Sequence, residues 1–546
     1  MISITNWRHL FPFGEPRQQQ VDVINFTLNA FINDQKRFVI LNCPTGIGKS
    51  AIAITVARYL DQAEHGDAYV LTTQKLLQEQ YVRDFGIKNL KSSSNYRCLH
   101  YPEQSCGESR RLLEKLSKQL VGTDFHTCCK SRCPYVAAKR EFLASSLGVT
   151  NFAYFLAETM YAGSLQPRHL LVVDECHTLE RQISSHVEVS FSEKFARDIL
   201  HCKKFPQKND QESVFKWISD VYRCVLVKHV KTFEKTIERN IKLEKSLGQN
   251  MSSGVNVGIT QLSKRYEMLD KHMCKVNRFV EAYDSENWVM NNSVIDVHGK
   301  QHRKFEFKPV DVSSLGEKYL FKSGERVLLM SATIVDKDVF CRSVGISPQQ
   351  AAYTCVNSPF SIASRKIYYM PVGSMSAKCI DVTLPSMSKA VETILQEHAL
   401  DRGVVHCVNF RIAKYLKDSI HSDRLLLHDS TNREKVLQQH LSSNEPTVLL
   451  SPSMMEGVDL SDDNSRFQVL CKVPFPYLGD KVVQKRMKKD KLWYDCATTQ
   501  MIIQSLGRSI RSVDDYAVSY ILDADWELFY KRALHMFPDD FSLLLK

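Results

Sequence analysis

The 546-residue sequence has no apolar run near the roughly 18 residues that a membrane-crossing helix needs, which argues against membrane spans. Its start, MISITNWRHLFPFGEPRQQQ, lacks the basic-then-apolar layout of a secretory leader. Together these absences predict a soluble intracellular protein, of cytoplasm, nucleoid or nucleus, with no membrane partner. Internal repeats and low-complexity tracts are missing too, which argues against a solenoid and a disordered scaffold. Charge of one sign is in only mild excess: 72 Lys and Arg face 61 Asp and Glu, a net +11. That balance suits a polyanion without identifying one, because a field depends on clustering. Length is what the chain does have. Single cores stop growing near roughly 250–300 residues, so two to four domains are expected.

Cysteine is unevenly placed. Of 16, five (Cys98, Cys106, Cys128, Cys129 and Cys133) fall between residues 98 and 133, where even scatter would put about one. Clustered cysteines in an intracellular chain point to metal rather than disulfides. An iron–sulfur cluster takes four thiolates; zinc takes a tetrahedral Cys/His set that His100 or His126 could join. The absence of two paired C-x-x-C knuckles weighs against zinc. Five cysteines compete for four places, and adjacent residues rarely both point inward. Cys128 and Cys129 are therefore alternatives, with a lean to Cys129. Arg97, Arg110, Arg111, Lys130, Arg132, Lys139 and Arg140 flank the group, a basic surface suited to single-stranded DNA.

The apolar run Phe38–Leu41 predicts a buried strand, followed by a punctuated loop and a helix. Further strands are expected at Tyr69–Leu71, Leu170–Val173 and Val327–Met330, then at Gly403–Val408, Thr447–Leu450, Phe467–Val473 and Ala517–Leu522. Between the third and fourth, residues 185–320 carry helix-like spacing with many Lys and Glu, as an inserted helical unit would. The loop Cys43-Pro44-Thr45-Gly46-Ile47-Gly48-Lys49-Ser50 has the composition of a phosphate cradle, with Cys43 where the usual pattern has its first glycine. Lys49 would reach the β- and γ-phosphates and the Ser50 hydroxyl would ligate Mg²⁺. Asp174, ending a buried strand, would hold the same Mg²⁺, and Glu175 would orient or deprotonate the attacking water. Far along the chain, Gln504-Ser505-Leu506-Gly507-Arg508-Ser509-Ile510-Arg511 puts two arginines three apart, able to meet one polyanion. A second basic stretch, Lys481 to Lys491, is expected to be a solvated helix face rather than a DNA contact.

In this order these residues resemble the superfamily 2 helicases of the XPD/DinG-like iron–sulfur branch. Arg17-Gln18-Gln19-Gln20 is similar to the adenine-side R-x-x-Q motif, with Arg17 and Gln20 its named members. Cys43–Ser50, which includes Thr45, Gly46 and Gly48, looks like motif I. Leu71-Thr72-Thr73-Gln74 with Leu76, Leu77 and Gln80 resembles motif Ia, which touches DNA backbone. Asp174-Glu175-Cys176-His177 is similar to a DEAH-type box and Ser331-Ala332-Thr333 to motif III. Met455-Glu456-Gly457-Val458-Asp459 looks like motif V, with Gly457 and Asp459 on the nucleotide side; Gln504–Arg511 resembles motif VI. Two departures stand out: the inserted helical unit, which corresponds to the family's arch, matches the family least, and Leu522-Asp523-Ala524-Asp525 has Asp where the family usually has Arg.

The resemblance implies an α/β fold of two RecA-like parallel-sheet motor domains, with an iron–sulfur insertion and a helical arch insertion in the first. The expected boundaries are 1–90, 141–184 and 323–358 for the first motor domain, 91–140 for the cluster domain, 185–322 for the arch and 359–546 for the second motor domain. It also implies ATP, Mg²⁺ and a [4Fe–4S] cluster on Cys98, Cys106, Cys129 (or Cys128) and Cys133. The activity implied is movement on single-stranded DNA, 5′→3′, with unwinding of forked duplex in repair or replication, by a chain expected to act as a monomer. A DNA-stimulated ATPase that remodels protein–DNA complexes without separating strands would carry the same motor residues.

Overall fold

The computed structural model describes residues 6–115, 118, 121, 124–162, 165–202, 204–207, 209–247, 253–297, 299–429, 431–452, 460, 462–510, 512 and 514–546. The chain first lays down β1 (Phe38–Asn42), β2 (Ala68–Thr72), β3 (Lys88–Leu90), β4 (Leu147–Asn151) and β5 (Arg168–Asp174). It then departs through β6 (Val189–Ser192), β7 (Trp288–Val297) and β8 (Lys300–Pro309), and returns as β9 (Gly324–Ser331) and β10 (Ala351–Cys355). The first sheet has the order β10-β1-β9-β5-β2-β4-β3 with every pairing parallel. Crossover helices cover both faces of such a sheet, which is why its strands read as unbroken apolar runs. Ile40, Leu71, Val173 and Leu329 enter one core, while Leu41, Val70, Val172 and Leu328 enter the core on the opposite face.

The second lobe is built from β11 (Ile367–Gly373), β12 (Gly403–His406), β13 (Leu425–Leu427), β14 (Val448–Ser451), β15 (Phe467–Leu470) and β16 (Val518–Asp523). Their order is β11-β16-β15-β12-β14-β13, again all parallel. All eight strands expected from apolar runs are present, with two ending earlier, at His406 and Leu470. Five other strands of these two sheets escaped the pattern, and four of them (β3, β10, β11, β13) are sheet edges. An edge strand is only half enclosed, so it needs no continuous apolar run. β11 even carries Pro371, which a central strand would not tolerate.

The insertion after β5 differs from its all-helical expectation. Helices Arg223–Leu247 and Ser253–Ala282 are present and pack along each other, but a three-stranded antiparallel sheet, β6-β8-β7, stands beside them. The β7–β8 hairpin pairs continuously from Trp288↔Pro309 to Val297↔Lys300, around Gly299 at φ 76°. Most of its residues are polar, and only Phe305 and Phe307 of β8 show a clear inward alternation, which is how the strands were missed. Phe279, on the second long helix, ties helices to sheet: its ring lies 4.8 Å from Phe307, 5.0 Å from Trp288 and 5.8 Å from Phe215. No helix among the described residues is long and apolar enough to cross a membrane.

We expect Phe279→Ala to cost about 3–5 kcal/mol, because the ring is buried and its neighbours cannot collapse into the space. Hydrogen exchange should then rise across β7 and β8 while peptides of β1 and β5 keep their protection. Equal loss in both regions would show that the insertion is not a separable unit.

Candidate active site and cysteine cluster

Register places the chemistry at one edge. β9 lies between β1 and β5, with Ser331 beside Asn42 and Met330 beside Asp174. The loop after β1, the carboxylates after β5 and the Ser331 hydroxyl therefore emerge side by side at the carboxyl ends of the strands, the usual ligand side of an open parallel sheet. The loop runs into helix Lys49–Glu64, whose first N–H groups face the same space. Gly46 (φ 84°) and Gly48 (φ 85°) take left-handed conformations that favour glycine. At Gly48 a Cβ would also stand 2.7 Å from Gln20 Nε2.

Arg17 and Gln20 brace this loop from behind. Gln20 Nε2 donates to the Ile47 carbonyl at 2.8 Å and an Arg17 guanidinium nitrogen to the Gly46 carbonyl at 2.6 Å, while Gln20 Oε1 accepts from the Arg17 N–H. Cys43 is fully buried and its N–H donates to the Ser331 carbonyl, so its side chain belongs to the core, not to the cradle. Thr45 and Ser50 are half-buried in the same turn region. Lys49 Nζ donates to the Cys43 carbonyl at 3.2 Å, which parks the ammonium inside the loop.

Asp174 is 5% exposed and accepts from the Tyr81 hydroxyl at 3.0 Å and from the Glu175 N–H at 3.0 Å. Burial, reinforced by the Glu175 charge, pushes its carboxyl above the usual range. Glu175 takes a positive φ of 55°, unusual for a residue with a Cβ, and the turn aims its carboxylate into the cleft. Burial alone would raise Glu175 as well. The His177 hydrogen bond and the charges of Lys49, His177 and Arg508 outweigh it and hold the group ionised. Arg508 thus acts on Glu175 from the second lobe. Tyr81 was not among the sequence candidates; a tyrosine on the inner face of a helix reads as core.

A chain of side chains crosses the cleft. His177 Nδ1 lies 2.7 Å from Ser331 Oγ and 3.2 Å from Glu175 Oε2; its Nε2 lies 2.7 Å from Gln504 Nε2. Gln504 Nε2 also donates to Thr333 Oγ1 at 2.9 Å, and the Thr333 N–H donates back to Ser331 Oγ. Behind it, Gln468 Nε2 donates to the Leu506 carbonyl at 2.8 Å and fixes the end of the helix that carries Gln504. Gly457, Asp459 and Arg511 lie outside the described residues. The departure at Asp525 is local: its carboxylate accepts from Ser374 Oγ at 3.0 Å, while Asp523 accepts from the Val473, Met375 and Asp525 N–H groups.

The five cysteines are all buried and unpaired. They line one cavity of about 10 Å³ together with Leu99, Ser109, Arg110 and Pro134; neither His100 nor His126 lines it. Cys98, Cys106, Cys129 and Cys133 share one core, and the Cys106 and Cys133 sulfurs are 3.8 Å apart. Cys128 is buried too, against the expectation that one of the adjacent pair would face away, but it sits by Arg132 and outside that core. Burial first, and then the neighbouring thiols, push Cys106 and Cys129 up to about 12. Among the described residues no three His, Cys, Asp or Glu side chains are gathered as the ligands of a single metal ion.

Comparison with known proteins adds relatives to this geometry. Residues 13–208 match the family described as type III restriction enzyme, res subunit, and residues 398–538 match the helicase C-terminal domain. The chain is similar to the ATP-dependent DNA helicase YoaA of Haemophilus influenzae, 22% identical with 93% of this chain and 91% of the relative aligned. YoaA of Escherichia coli K12 is 21% identical over 94% and 92%. Among solved structures, an XPD helicase superposes with a TM-score of 0.63 at 17% identity, covering 96% of this chain and 98% of that one. S. tokodaii Xpd4 gives 0.56 at 15% identity, covering 97% and 99%.

The lysines of helix Lys481–Lys489 are exposed, as a solvated face requires, and Arg486 alone departs from that expectation: 6% exposed, it pairs with Glu180 at 2.9 Å and approaches Asp311 at 3.8 Å, while the exposed Lys489 reaches Asp311 at 2.5 Å. Trp493 Nε1 donates to the same Glu180 at 2.9 Å. Arg486→Ala should cost roughly 1–3 kcal/mol in urea denaturation, since it leaves Glu180 and Asp311 without their buried partner. The double change Arg486→Met with Glu180→Leu should recover part of that loss; a deeper loss would show that the ion pair itself carries the docking.

Proposed function

Because this chain belongs to the XPD/DinG-like superfamily 2 helicases, enzymes that hydrolyse ATP and act on DNA, we propose that it moves 5′→3′ along single-stranded DNA and opens forked duplex. The observation that carries this reading is the cleft chain His177–Gln504, with Arg508 acting on Glu175 from the opposite lobe. Such a cleft responds to whatever fills it.

In this reading ATP enters between the lobes. The loop N–H groups, released by Gly46 and Gly48, take the phosphates, and Lys49 leaves the Cys43 carbonyl for the β- and γ-oxygens. Ser50 and Asp174 would hold Mg²⁺, a hydroxyl and a carboxylate being suitable oxygen ligands for a hard cation; when bound, the ion would supply positive charge against the β- and γ-phosphates. Glu175, kept ionised, orients a water and receives its proton as the water oxygen attacks the γ-phosphorus and the β–γ bond breaks. Arg508 and Arg511, from lobe two, balance the charge spread over the γ-oxygens, so hydrolysis needs a closed cleft. His177, hydrogen-bonded to Ser331 and Gln504, carries the change of contact across the gap. Closing and opening then shift one lobe against the other along the strand. A stacked base-pair step costs about 1.4 kcal/mol, well within the drive of one ATP.

Cys98, Cys106, Cys129 and Cys133 would hold a [4Fe–4S] cluster. The support is the donor set: thiols and no carboxylate around one cavity, with Cys128 the alternative to Cys129. A bound cluster would staple the chain from Cys98 to Cys133. The raised pKa values of Cys106 and Cys129 mean that loading it must drive proton release from those thiols. Action as a monomer in DNA repair or replication completes the proposal; remodelling of protein–DNA complexes without unwinding is the alternative that the same motor would serve.

Anaerobically purified protein should displace a strand from duplex with a 5′ single-stranded tail and not from one with a 3′ tail. Lys49→Ala should lower ATP turnover by roughly 100-fold or more and abolish displacement. DNA-stimulated hydrolysis without displacement from either substrate would move the assignment to the remodelling motor. Cys133→Ser should lose bound iron and unwinding while retaining measurable ATP turnover; full unwinding by that variant would refute the role of the cluster.

A further inference from the structure

Tyr81, a described side chain of the nucleotide site, is left without work by the motor reading. It sits on helix Lys75–Phe85, between the exposed Gln74, Lys75 and Leu76 at the helix start and the closing Gly86. It is 1% exposed and packs on Phe85 with ring centroids 5.5 Å apart. Packing alone would be served by phenylalanine, since a buried hydroxyl costs free energy unless it is hydrogen-bonded. Here it is: the phenol donates to Asp174 Oδ2 at 3.0 Å. Asp174 ends β5, so the phenol ties this helix to the end of the strand that carries the carboxylate.

We propose that Tyr81 is a positioning residue for the metal–nucleotide complex, holding the Asp174 carboxylate where a divalent cation with its phosphates requires it. The inference rests on the assignment of Asp174 to Mg²⁺ made above. Fixing a hard cation's oxygen ligands before it arrives matters because Mg²⁺ tolerates little departure from octahedral geometry and sheds water reluctantly. The phenol itself touches neither the cation nor the phosphates. It acts on ligand placement, as groups just outside a metal's own ligands commonly do.

The test compares the full-length protein with Tyr81→Phe, which keeps the ring, and with Phe85→Leu, which loosens the same packing and leaves the hydroxyl in place. Each is titrated with a fluorescent non-hydrolysable ATP analogue, once with Mg²⁺ and once in EDTA, beside a thermal melt. Tyr81→Phe should bind the analogue in EDTA as the parent does, while its gain in affinity on adding Mg²⁺ falls by roughly five- to tenfold, the size of one ordinary hydrogen bond. Phe85→Leu should melt earlier and keep the full Mg²⁺ gain. An undiminished gain in Tyr81→Phe overturns the proposal, and so does an equal deficit in Phe85→Leu, which would make the effect one of packing. If the parent shows no Mg²⁺-dependent affinity, the assignment of Ser50 and Asp174 falls, and this inference with it.

Discussion

Everything proposed for the cleft depends on where β9 sits. It lies between β1 and β5 and is parallel to both, and its register sets Ser331 beside the start of the phosphate loop and Met330 beside Asp174. A slip by one residue would exchange the faces of the strand, burying polar groups and turning Leu328 and Met330 into the wrong core. The hydrophobic pattern of three strands therefore holds the polar site in place. Buried apolar area drives the sheet together; the polar groups of the candidate site inherit their spacing from it. Asn42 reports this directly, since its side chain exchanges two hydrogen bonds with the backbone of Ile334, just past Ser331.

The parts legible in the sequence are those in which chemistry needs contiguous residues. A phosphate cradle needs glycines, a lysine and a hydroxyl in one short loop, and a strand-end Asp-Glu pair is equally compact. The central strands could be read because enclosure on both faces demands unbroken apolar runs. What stayed hidden depends on distant partners. Gln468 and Tyr81 look like ordinary strand and helix residues until the Leu506 carbonyl and Asp174 are beside them. The edge strands and the polar β7–β8 hairpin lack the enclosure that writes a pattern. Arg486 was misread for the same reason: Lys and Arg at helical spacing look like a wet face unless one knows that Glu180 and Asp311, both far back in the chain, lie opposite. Among the cysteines, both Cys128 and Cys129 line the cavity, and Cys129 alone of the two joins the neighbouring core, a difference that composition does not carry.

The lobes meet through two different kinds of contact. At the cleft they are mostly short hydrogen bonds among His177, Ser331, Thr333 and Gln504. At the insertion's root they are ion pairs, together with Asn291 donating to Asp480 and Lys481 donating to the Met290 carbonyl. One helix, Lys491–Leu506, serves both. Trp493 near its start holds Glu180, and Gln504 near its end holds His177, so the inserted unit and the nucleotide site share a rigid lever about 11 residues, or three turns, long between those side chains. Asp490 caps that helix through the Trp493 N–H and pairs with Arg342 of the first lobe.

The placement of β9 has a consequence for the chain as it is made. The strand that completes the centre of the first sheet begins at Gly324, whereas its neighbour β5 ends at Asp174. During synthesis at about 5–20 residues per second, β1 and β5 exist together for roughly 8–30 s before their shared partner is made. In that interval each is a largely apolar strand with an unpaired backbone edge, and nothing yet separates them by the right distance. Pairing directly with each other would give a plausible sheet of the wrong order. The long excursion through the insertion therefore makes the nascent motor a client for whatever shields apolar strands, and the order of events during biosynthesis becomes as much a requirement of the site as any residue in it.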